Sequence, residues 1–569
     1  MPASIQFGIS VLLIGGWLIT GCATSPPRKG SASRPAATEA ADPASAEASD
    51  FSPEAVARRT DAHAHYAAAV LHDLNEEPEM AVDEYFKAAS ADIANEALVL
   101  EVSRRLLQLK QNDRAMDLLS KATADPEASG ELFARLGLVY SIVKEKDKAI
   151  AANRKAIQKM PQSIAGYQHL AQIYLQSAQF DEGSKVLDQA AEQPDTDIDF
   201  LVDLSELYGS FLRAGASETI TTNAMQVLDR AVKMDPTNPI VLQRLADSYA
   251  LLGESEKSLQ LYLKLLERFP GLPGLREKLT DVYLRKQDRK KAAEQLEAIV
   301  RANPTNPQAY YFLGSIAFEE KDPKQAVEYF EKTLLLSPSF EPAYYDLAGA
   351  HINLNQAPQA LAVLERAKSR FQQSFVGEFF TAMAYNRLKD YTNAIGHLVT
   401  AEVIARATDT NRLTHLFYYQ LGSTYERNHR YEEAEKYFVK CLEMAPDFGE
   451  VMNYMGYMWT ERGVKLEEAR ALIEKAVKLE PKNAAFLDSL GWVLFRLGKP
   501  DEGLKYLLES IEHSEEPDAT LYDHLGDIYA SLKQPDKARE AWRKSLAIEP
   551  NDAIQKKLGA AAVTNGTAK

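Results

Sequence analysis

Cysteine is nearly absent from this chain of 569 residues, which contains only Cys22 and Cys441. Two cysteines cannot build a disulfide framework, and neither belongs to a Cys-x-x-Cys pair or another spacing that holds a metal ion. The cysteine content therefore excludes a disulfide-stabilised scaffold and a zinc site built on paired thiolates. Since no cofactor motif takes their place, the sequence predicts neither a metal nor a cofactor.

An excess of basic residues is also missing. Lys and Arg number 65 against 81 Asp and Glu, which gives a formal net charge of −16. Because binding to a phosphate backbone requires a basic surface, this balance argues against nucleic acid as a partner. Hydrophobic residues make up 46% of the chain and charged residues 26%, ordinary values that exclude a polytopic membrane protein.

Motifs of catalysis are lacking as well. The sequence has no Gly-x-Ser-x-Gly, His-Glu-x-x-His or phosphate-binding glycine loop in a suitable context. His63, His65 and His72 form the one histidine cluster, and on a helix only His65 and His72 share a face. We interpret them as packed or solvated side chains and predict that the chain is not an enzyme. An enzyme with an unrecognised site is the alternative from another functional class.

The amino-terminal segment has the pattern of an export signal. Residues 1–21 carry no charged side chain, and residues 11–19 are mostly apolar but too short to span a bilayer. Residues 18–22 read LITGC and resemble the lipobox of bacterial lipoproteins, although the Lys or Arg that usually opens such signals is absent. An ordinary signal peptide with a chance cysteine is the alternative.

The lipobox resemblance implies a diacylglycerol and a further acyl chain such as palmitate on Cys22, and two or more chains hold a protein firmly on a membrane. Because Ala23 and not aspartate follows the cysteine, the resemblance implies the outer membrane, facing the periplasm. Residues 22–60 are rich in Ala, Ser, Pro and Thr, and such a stretch cannot bury enough apolar surface to fold. We therefore predict a disordered tether there.

An internal repeat occupies the rest of the chain. Prolines recur at steps of 34 residues, at Pro236, Pro270, Pro304 and Pro338, with two helical segments and a turn between them. Glycine recurs at the eighth position of the repeat and alanine at the twentieth, where a larger residue would overpack the helix crossing. This pattern resembles the tetratricopeptide repeat. The resemblance implies an all-α, right-handed α-solenoid of about fourteen helix-turn-helix repeats.

These observations divide the chain into a signal peptide (1–21), a lipidated Cys22 with its tether (22–60), a repeat solenoid (61–552) and a capping helix with a tail (553–569). Extra residues interrupt the repeat near 215–223 and at 409–414. The fourteen predicted repeats begin at Ala62, Glu96, Gly130, Ile164, Ile198, Pro239, Pro273, Pro307, Glu341, Phe375, His415, Gly449, Ala484 and Ala519.

The repeat resemblance also implies a binding surface, because first helices line the concave side of such solenoids. Aromatic residues hold the fifth position of four successive repeats, and further aromatics and arginines hold neighbouring inner positions. The predicted groove comprises Tyr311, Phe318, Tyr345, Phe379, Arg387, Tyr419, Arg427, Tyr457, Trp492, Phe495 and Arg496. This composition favours an extended, partly apolar polypeptide over a chaperone tail held by its carboxylate. Packing of the aromatics between adjacent repeats is the alternative.

Residues 455–494 are similar to a subgroup of proteobacterial repeat lipoproteins, which includes the binding partner of a carboxyl-terminal processing protease. The resemblance implies an adaptor that delivers substrates, such as cell-wall hydrolases, to that protease. A scaffold for assembly of a pilus, secretion or exopolysaccharide export system is the alternative. In both cases the implied partners are periplasmic proteins, and the membrane is reached through Cys22.

Overall fold

The computed structural model describes residues 52–215, 217, 220–516 and 518–563. Over these residues the chain forms α-helices and one short 3-10 helix, without a β-strand. The prediction of an all-α chain built from helix pairs is confirmed. No helix in these ranges is long and apolar enough to cross a bilayer. The predicted signal peptide, Cys22 and most of the predicted tether lie outside the described residues.

The helices fall into two compact units, and the boundary between Ile299 and Val300 lies within the helix Arg289–Ala302. The helices of the amino-terminal unit are α1 (Pro53–Leu74), α2 (Pro78–Ala91), α3 (Glu96–Gln108), α4 (Asn112–Ala122), α5 (Gly130–Ile142), α6 (Lys146–Lys159), α7 (Ile164–Gln176), α8 (Phe180–Ala191), α9 (Ile198–Arg213), α10 (Ile220–Lys233), α11 (Pro239–Leu251), α12 (Ser255–Arg268), α13 (Leu275–Arg285) and α14 (Arg289–Ala302).

The carboxy-terminal unit contains the predicted groove residues. Its helices are α15 (Pro307–Glu319), α16 (Pro323–Leu336), α17 (Glu341–Asn353), α18 (Ala357–Lys368), α19 (Phe375–Arg387), α20 (Tyr391–Thr408), α21 (His415–Arg427), α22 (Tyr431–Met444), α23 (Gly449–Arg462), α24 (Leu466–Leu479), α25 (Ala484–Arg496), α26 (Pro500–His513), α27 (Ala519–Ser531), α28 (Pro535–Ile548) and α29 (Asp552–Val563). The insert at 409–414 contains the 3-10 helix Thr410–Arg412.

The repeat spacing predicts most of the helix starts correctly. Every predicted repeat start except the first and the seventh is the first residue of a helix. The first repeat helix begins at Pro53 and not at Ala62, because Pro53 opens a run of helix-forming residues that nothing interrupts. The predicted tether therefore extends eight residues too far, since residues 53–60 are helical. The seventh first helix begins at Leu275, directly after Gly274 in a left-handed backbone conformation (φ 77°).

A left-handed residue ends most of the first helices. At the fifteenth repeat position φ is 62° at Lys321 and 61° at Lys389. The next N–H then bonds to the carbonyl five residues earlier, as Asp322 N does to Ala317 O at 2.9 Å. Glycine holds this position in three repeats, at Gly253, Gly463 and Gly498, whereas Lys holds it in five, so the turn has no consistent glycine signal in the sequence.

The eighth-position glycines lie where the two helices of a repeat cross, as predicted. A Cβ atom on Gly314 would lie 2.7 Å from the ring of Phe330, and one on Gly422 would lie 2.7 Å from the ring of Phe438. The side chain against each of these glycines comes from the twenty-fourth position, one helical turn after the fully buried alanine of the twentieth. In these repeats the aromatic ring of the second helix therefore packs directly on the glycine of the first helix.

We expect Gly491→Ala to lower the free energy of unfolding of the carboxy-terminal unit by about 1–3 kcal/mol. The new Cβ would press on Leu507 Cδ1 and lie 2.8 Å from Gly503 O, a backbone atom that cannot rotate away. Gly396→Ala is the matched control, because no atom lies within 4 Å of that Cβ on the exposed side of α20. The control should raise stability by up to about 1 kcal/mol in urea unfolding. Equal effects of the two substitutions would contradict this packing.

Candidate partner-binding surface

The eleven predicted groove residues all lie on first helices of the carboxy-terminal unit, but their exposure differs. Tyr345, Tyr419 and Trp492 are buried, with 8%, 4% and 8% of their surfaces exposed. Arg387 and Arg427 are exposed. The half-buried members are Tyr311, Phe318, Phe379, Tyr457, Phe495 and Arg496.

Tyr345 and Tyr419 fill the contact between neighbouring repeats. The Tyr345 hydroxyl donates to Glu341 Oε1 at 2.8 Å, and its ring lies 3.3 Å from the Cβ position of Gly377 on the next first helix. Tyr419 meets Tyr454 of the next repeat edge-on at a centroid distance of 5.9 Å. The prediction that these two rings line an open groove is wrong, because the following repeat covers them.

Tyr311 and Phe379 also pack mainly within the protein. The Tyr311 ring lies 4.8 Å from the Phe340 ring, and its hydroxyl donates to Asp346 Oδ2 at 2.7 Å. Phe379 stacks on Phe375 of its own helix at 5.9 Å, and its ring lies 6.4 Å from that of Phe417 in the next repeat. The four aromatic residues at the fifth repeat position are therefore at least half-buried. The alternative interpretation, packing between adjacent repeats, describes their contacts better than an open groove does.

Asp346 gives this part of the stack a pH dependence. Burial raises the pKa of Asp346 from 3.8 to about 6, and the hydrogen bond from Tyr311 only partly opposes the rise. The folded state therefore retains a proton that the unfolded chain releases, so this group destabilises the fold increasingly as pH rises from about 4 to 6.

We expect Asp346→Asn, which keeps an acceptor for Tyr311 and does not titrate, to remove that loss. The stability of the variant relative to the unaltered chain should grow by about 2 kcal/mol between about pH 4.5 and 7.5. Urea unfolding across this range measures the difference. Parallel pH profiles of the two proteins would contradict the assigned role of Asp346.

The aromatic residues near the carboxy terminus form a different arrangement. Trp492 stacks on His524 at a centroid distance of 4.0 Å and on Phe495 at 5.0 Å. Its indole Nε1 donates to Glu461 Oε1 at 2.6 Å, and Tyr457 lies 6.2 Å from the His524 ring. Trp492 is thus a buried support, and the prediction that it lines an open groove is corrected.

His524, which the sequence analysis did not single out, is the centre of this cluster. It is 4% exposed, and its Nδ1 lies 2.9 Å from Asp488 Oδ1. Burial opposes protonation, but the carboxylates of Asp488, Glu461 and Asp523 raise the pKa of His524 above its ordinary value. The ring therefore holds Asp488 in place from the side of α27.

A cleft of about 120 Å³ opens beside this cluster. Its walls come from α23, α25, the end of α26 and the start of α27, so several repeats contribute to it. The lining residues include Asn453, Tyr454, Tyr457, Asp488, Glu516 and Asp518. We call this feature the acidic cleft. Of the predicted groove residues only Tyr457 lines it.

The rest of the described chain offers no obvious reactive centre. No group of three or more His, Cys, Asp or Glu side chains that could hold a metal ion occurs among the described residues. His65 and His72 bond to different carboxylates, Glu84 and Glu77, each at 2.6 Å. Burial raises the pKa of the Cys441 thiol to about 12, which keeps it protonated and unreactive.

Comparison with known families finds repeats along much of the chain. Family models described as tetratricopeptide repeat match residues 241–271, 278–339, 317–376, 416–448 and 454–557. No curated protein sequence matches the chain.

Solved structures show similarity at low sequence identity. A tetratricopeptide repeat protein from Parabacteroides merdae is 17% identical, with 45% of this chain and 98% of that chain covered and a TM-score of 0.38. A chain of the APC/C hetero-tetramer Cut9–Hcn1 is 15% identical, with 90% of this chain and 97% of that chain covered and a TM-score of 0.31. Yeast Tom70 is 14% identical, with 83% of this chain and 97% of that chain covered and a TM-score of 0.31.

Proposed function

We propose that the chain is a scaffold for protein partners, because family models described as tetratricopeptide repeat match five segments of it and such repeats typically bind proteins without catalysing reactions. The partner segment would lie on the first helices of the last repeats. The acidic cleft is the observation that supports this assignment, because it combines two tyrosine walls with polar groups that can orient a bound chain.

The proposal places the scaffold in the periplasm, held on the outer membrane by lipid on Cys22. The support for this placement is the lipobox resemblance of residues 18–22 and the alanine at position 23. Between Cys22 and Pro53, where α1 begins, thirty residues separate the anchor from the first helix. A chain of that length reaches about 30 Å as a flexible coil, enough to hold the repeats clear of the bilayer surface.

We further propose that the scaffold delivers substrates to a carboxyl-terminal processing protease. The support is the similarity of residues 455–494 to the lipoprotein partners of such proteases. This stretch includes Tyr457 and Asp488, so the residues that carry the similarity also form walls of the acidic cleft. The cleft and the adaptor role would then depend on the same surface.

Crosslinking in intact cells tests the proposal. The tagged full-length chain is purified from membranes, and the proteins crosslinked to it are identified by mass spectrometry. Recovery of a periplasmic processing protease together with cell-wall hydrolases is the expected result. Recovery of pilus, secretion or polysaccharide-export components would keep the scaffold and reject the protease role.

A substitution pair links this recovery to the cleft. Tyr457→Ala removes a cleft wall and should reduce the recovered partner, because a partner chain would lose a large apolar contact. Tyr522→Ala is the control, since Tyr522 is likewise a half-buried tyrosine but does not line the cleft. Equal recovery with both variants would remove the cleft from the proposed function.

A further inference from the structure

The first helix, α1, is longer than the repeat requires. It has 22 residues, whereas the first helices of the next three repeats have 13 each. Its neighbour α2 has 14 residues, and the described side chains of residues 53–61, which precede the repeat, are all exposed. Because a short helix without tertiary packing is marginal in water, this extension calls for a packing partner.

The exposed side of α1 has the spacing of a coiled-coil seam. Six exposed positions follow one another by alternating steps of four and three residues: Val56, Thr60, His63, Ala67, Val70 and Leu74. We call these residues the α1 seam. Ala69, on the other side of the helix, is fully buried in a cluster with Val82 of α2. The seam therefore faces away from α2 and has the periodicity that keeps one helix in contact with a second helix.

The apolar residues of this face are well exposed. Leu74 has 75% of its surface exposed, and Leu71, directly beside the seam, has 61%. Val56 and Val70 are exposed as well. Apolar side chains that recur along one face of a helix mark an interaction surface, whereas single exposed ones do not.

Charges at the two ends of α1 favour a second copy of the chain in antiparallel orientation. Arg59 flanks the seam near its beginning, and the exposed Glu76 and Glu77 follow its end. An antiparallel copy brings Arg59 toward the acidic end of the other copy, whereas a parallel copy brings like charges together. The same two carboxylates would oppose binding of this face to an anionic bilayer. The remaining charged residues of α1 lie on the opposite side of the helix: Glu54, Arg58 and Asp61.

The α1 seam also matches itself in that orientation. Its six residues pair between two copies in three kinds of layer: Val56 with Leu74, Thr60 with Val70, and His63 with Ala67. Each layer occurs twice, as a two-fold axis between identical chains requires. The layers next to the axis combine alanine with histidine, so a small side chain faces a large one.

We propose that two copies of the chain associate through their α1 helices, packed antiparallel along the α1 seam. This inference goes beyond the scaffold function and does not depend on it, because the seam lies in the first repeat and the acidic cleft in the last ones. A dimer would carry two acidic clefts, so a partner with two binding segments would be held more tightly than by one chain.

The oligomeric state of the purified full chain tests the inference. In sedimentation velocity in mild detergent, the chain should be dimeric at about 10 µM, where an interface of ordinary affinity is occupied. Leu74→Asp should raise the dissociation constant at least about ten-fold, because it places an unpaired charge in the interface twice. Leu335→Asp is the matched control, since Leu335 is 77% exposed on α16 and lies outside the seam. A monomeric unaltered chain, or equal dimerisation of the two variants, would overturn the inference.

Engineered cysteines test the orientation of the helices. Val56→Cys combined with Leu74→Cys should give disulfide-linked dimers under mild oxidation, because these positions face each other across the antiparallel seam. Within one chain this disulfide cannot form, since the helix holds the two positions about 27 Å apart. Each single variant should give no more linked dimer than the unaltered chain, whose own cysteines set the background. Linked dimers from Val56→Cys alone would indicate parallel helices and contradict the proposed arrangement.

A membrane as the partner of the seam gives a different set of results. In that case the chain is monomeric, and Leu74→Asp reduces its flotation with vesicles of phosphatidylethanolamine and phosphatidylglycerol when both chains carry Cys22→Ala. That outcome would overturn the inference and leave the scaffold function as proposed. Dimers without any protein partner recovered from cells would instead reject the scaffold function and keep the inference.

Discussion

Replacement of Phe438 with alanine is expected to lower the free energy of unfolding of the carboxy-terminal unit by about 3–5 kcal/mol. Phe438 is fully buried, covers Gly422, and lies 5.5 Å from the ring of Tyr454 in the next repeat. One ring thus closes the crossing within its repeat and contacts the following repeat. Its loss leaves a cavity at both contacts, which the glycine cannot fill.

Urea unfolding followed by tryptophan fluorescence measures this effect in the relevant unit, because Trp459, Trp492 and Trp542 all lie there. Leu335→Ala is the control, since Leu335 is 77% exposed and its truncation should change stability by less than about 0.5 kcal/mol. A loss below about 1 kcal/mol for Phe438→Ala would contradict the role assigned to the twenty-fourth repeat position.

The second large effect concerns Cys22. If Cys22 carries the lipid, Cys22→Ala should abolish incorporation of labelled palmitate and move the protein from the membrane fraction to the soluble fraction. The physical reason is that two or more acyl chains hold a protein on a bilayer, whereas residues 23–52, with three basic and four acidic side chains, offer no comparable attraction. Metabolic labelling and fractionation of cells that express the full chain give both readouts.

Cys441→Ala serves as the matched control, because Cys441 is the only other cysteine and is completely buried. This variant should keep both the label and the membrane location. Membrane retention of Cys22→Ala, or palmitate label that depends on Cys441, would reject the anchor on Cys22. The repeat fold would be unaffected by either result, since it rests on residues from Pro53 onward.

The positions of most helices could be predicted from the sequence because the same steric rules recur along the repeats. Small residues mark each crossing, and the recurrent proline ends the second helix, so starts such as Glu341 and Ala519 follow from counting. The first start was misplaced because Pro53 opens the helix before the repeat pattern begins. The left-handed turns were not predicted, since glycine holds this position in only a few repeats, such as Gly253 and Gly498, while residues such as Lys321 hold it elsewhere.

The candidate site was harder to predict, because exposure depends on the neighbouring repeat. Tyr345 is covered since Gly377 brings the next first helix close to its ring, a contact that a single-repeat pattern does not contain. His524 and Asn453 belong to different repeats, and neither stands in a recognisable motif. Tyr457 is the one cleft residue that the sequence analysis predicted, because an aromatic residue stands there on the inner side of a first helix.

The central claim is that a protein partner contacts the inner side of the last repeats. Site-specific photocrosslinking in intact cells tests it most directly, with the photoreactive residue at Ala485, which is exposed and lines the acidic cleft, or at Glu365, which is exposed on α18. The account predicts a protein crosslinked from position 485 and none from position 365. Crosslinks from position 365 alone, or equally from both positions, would contradict it.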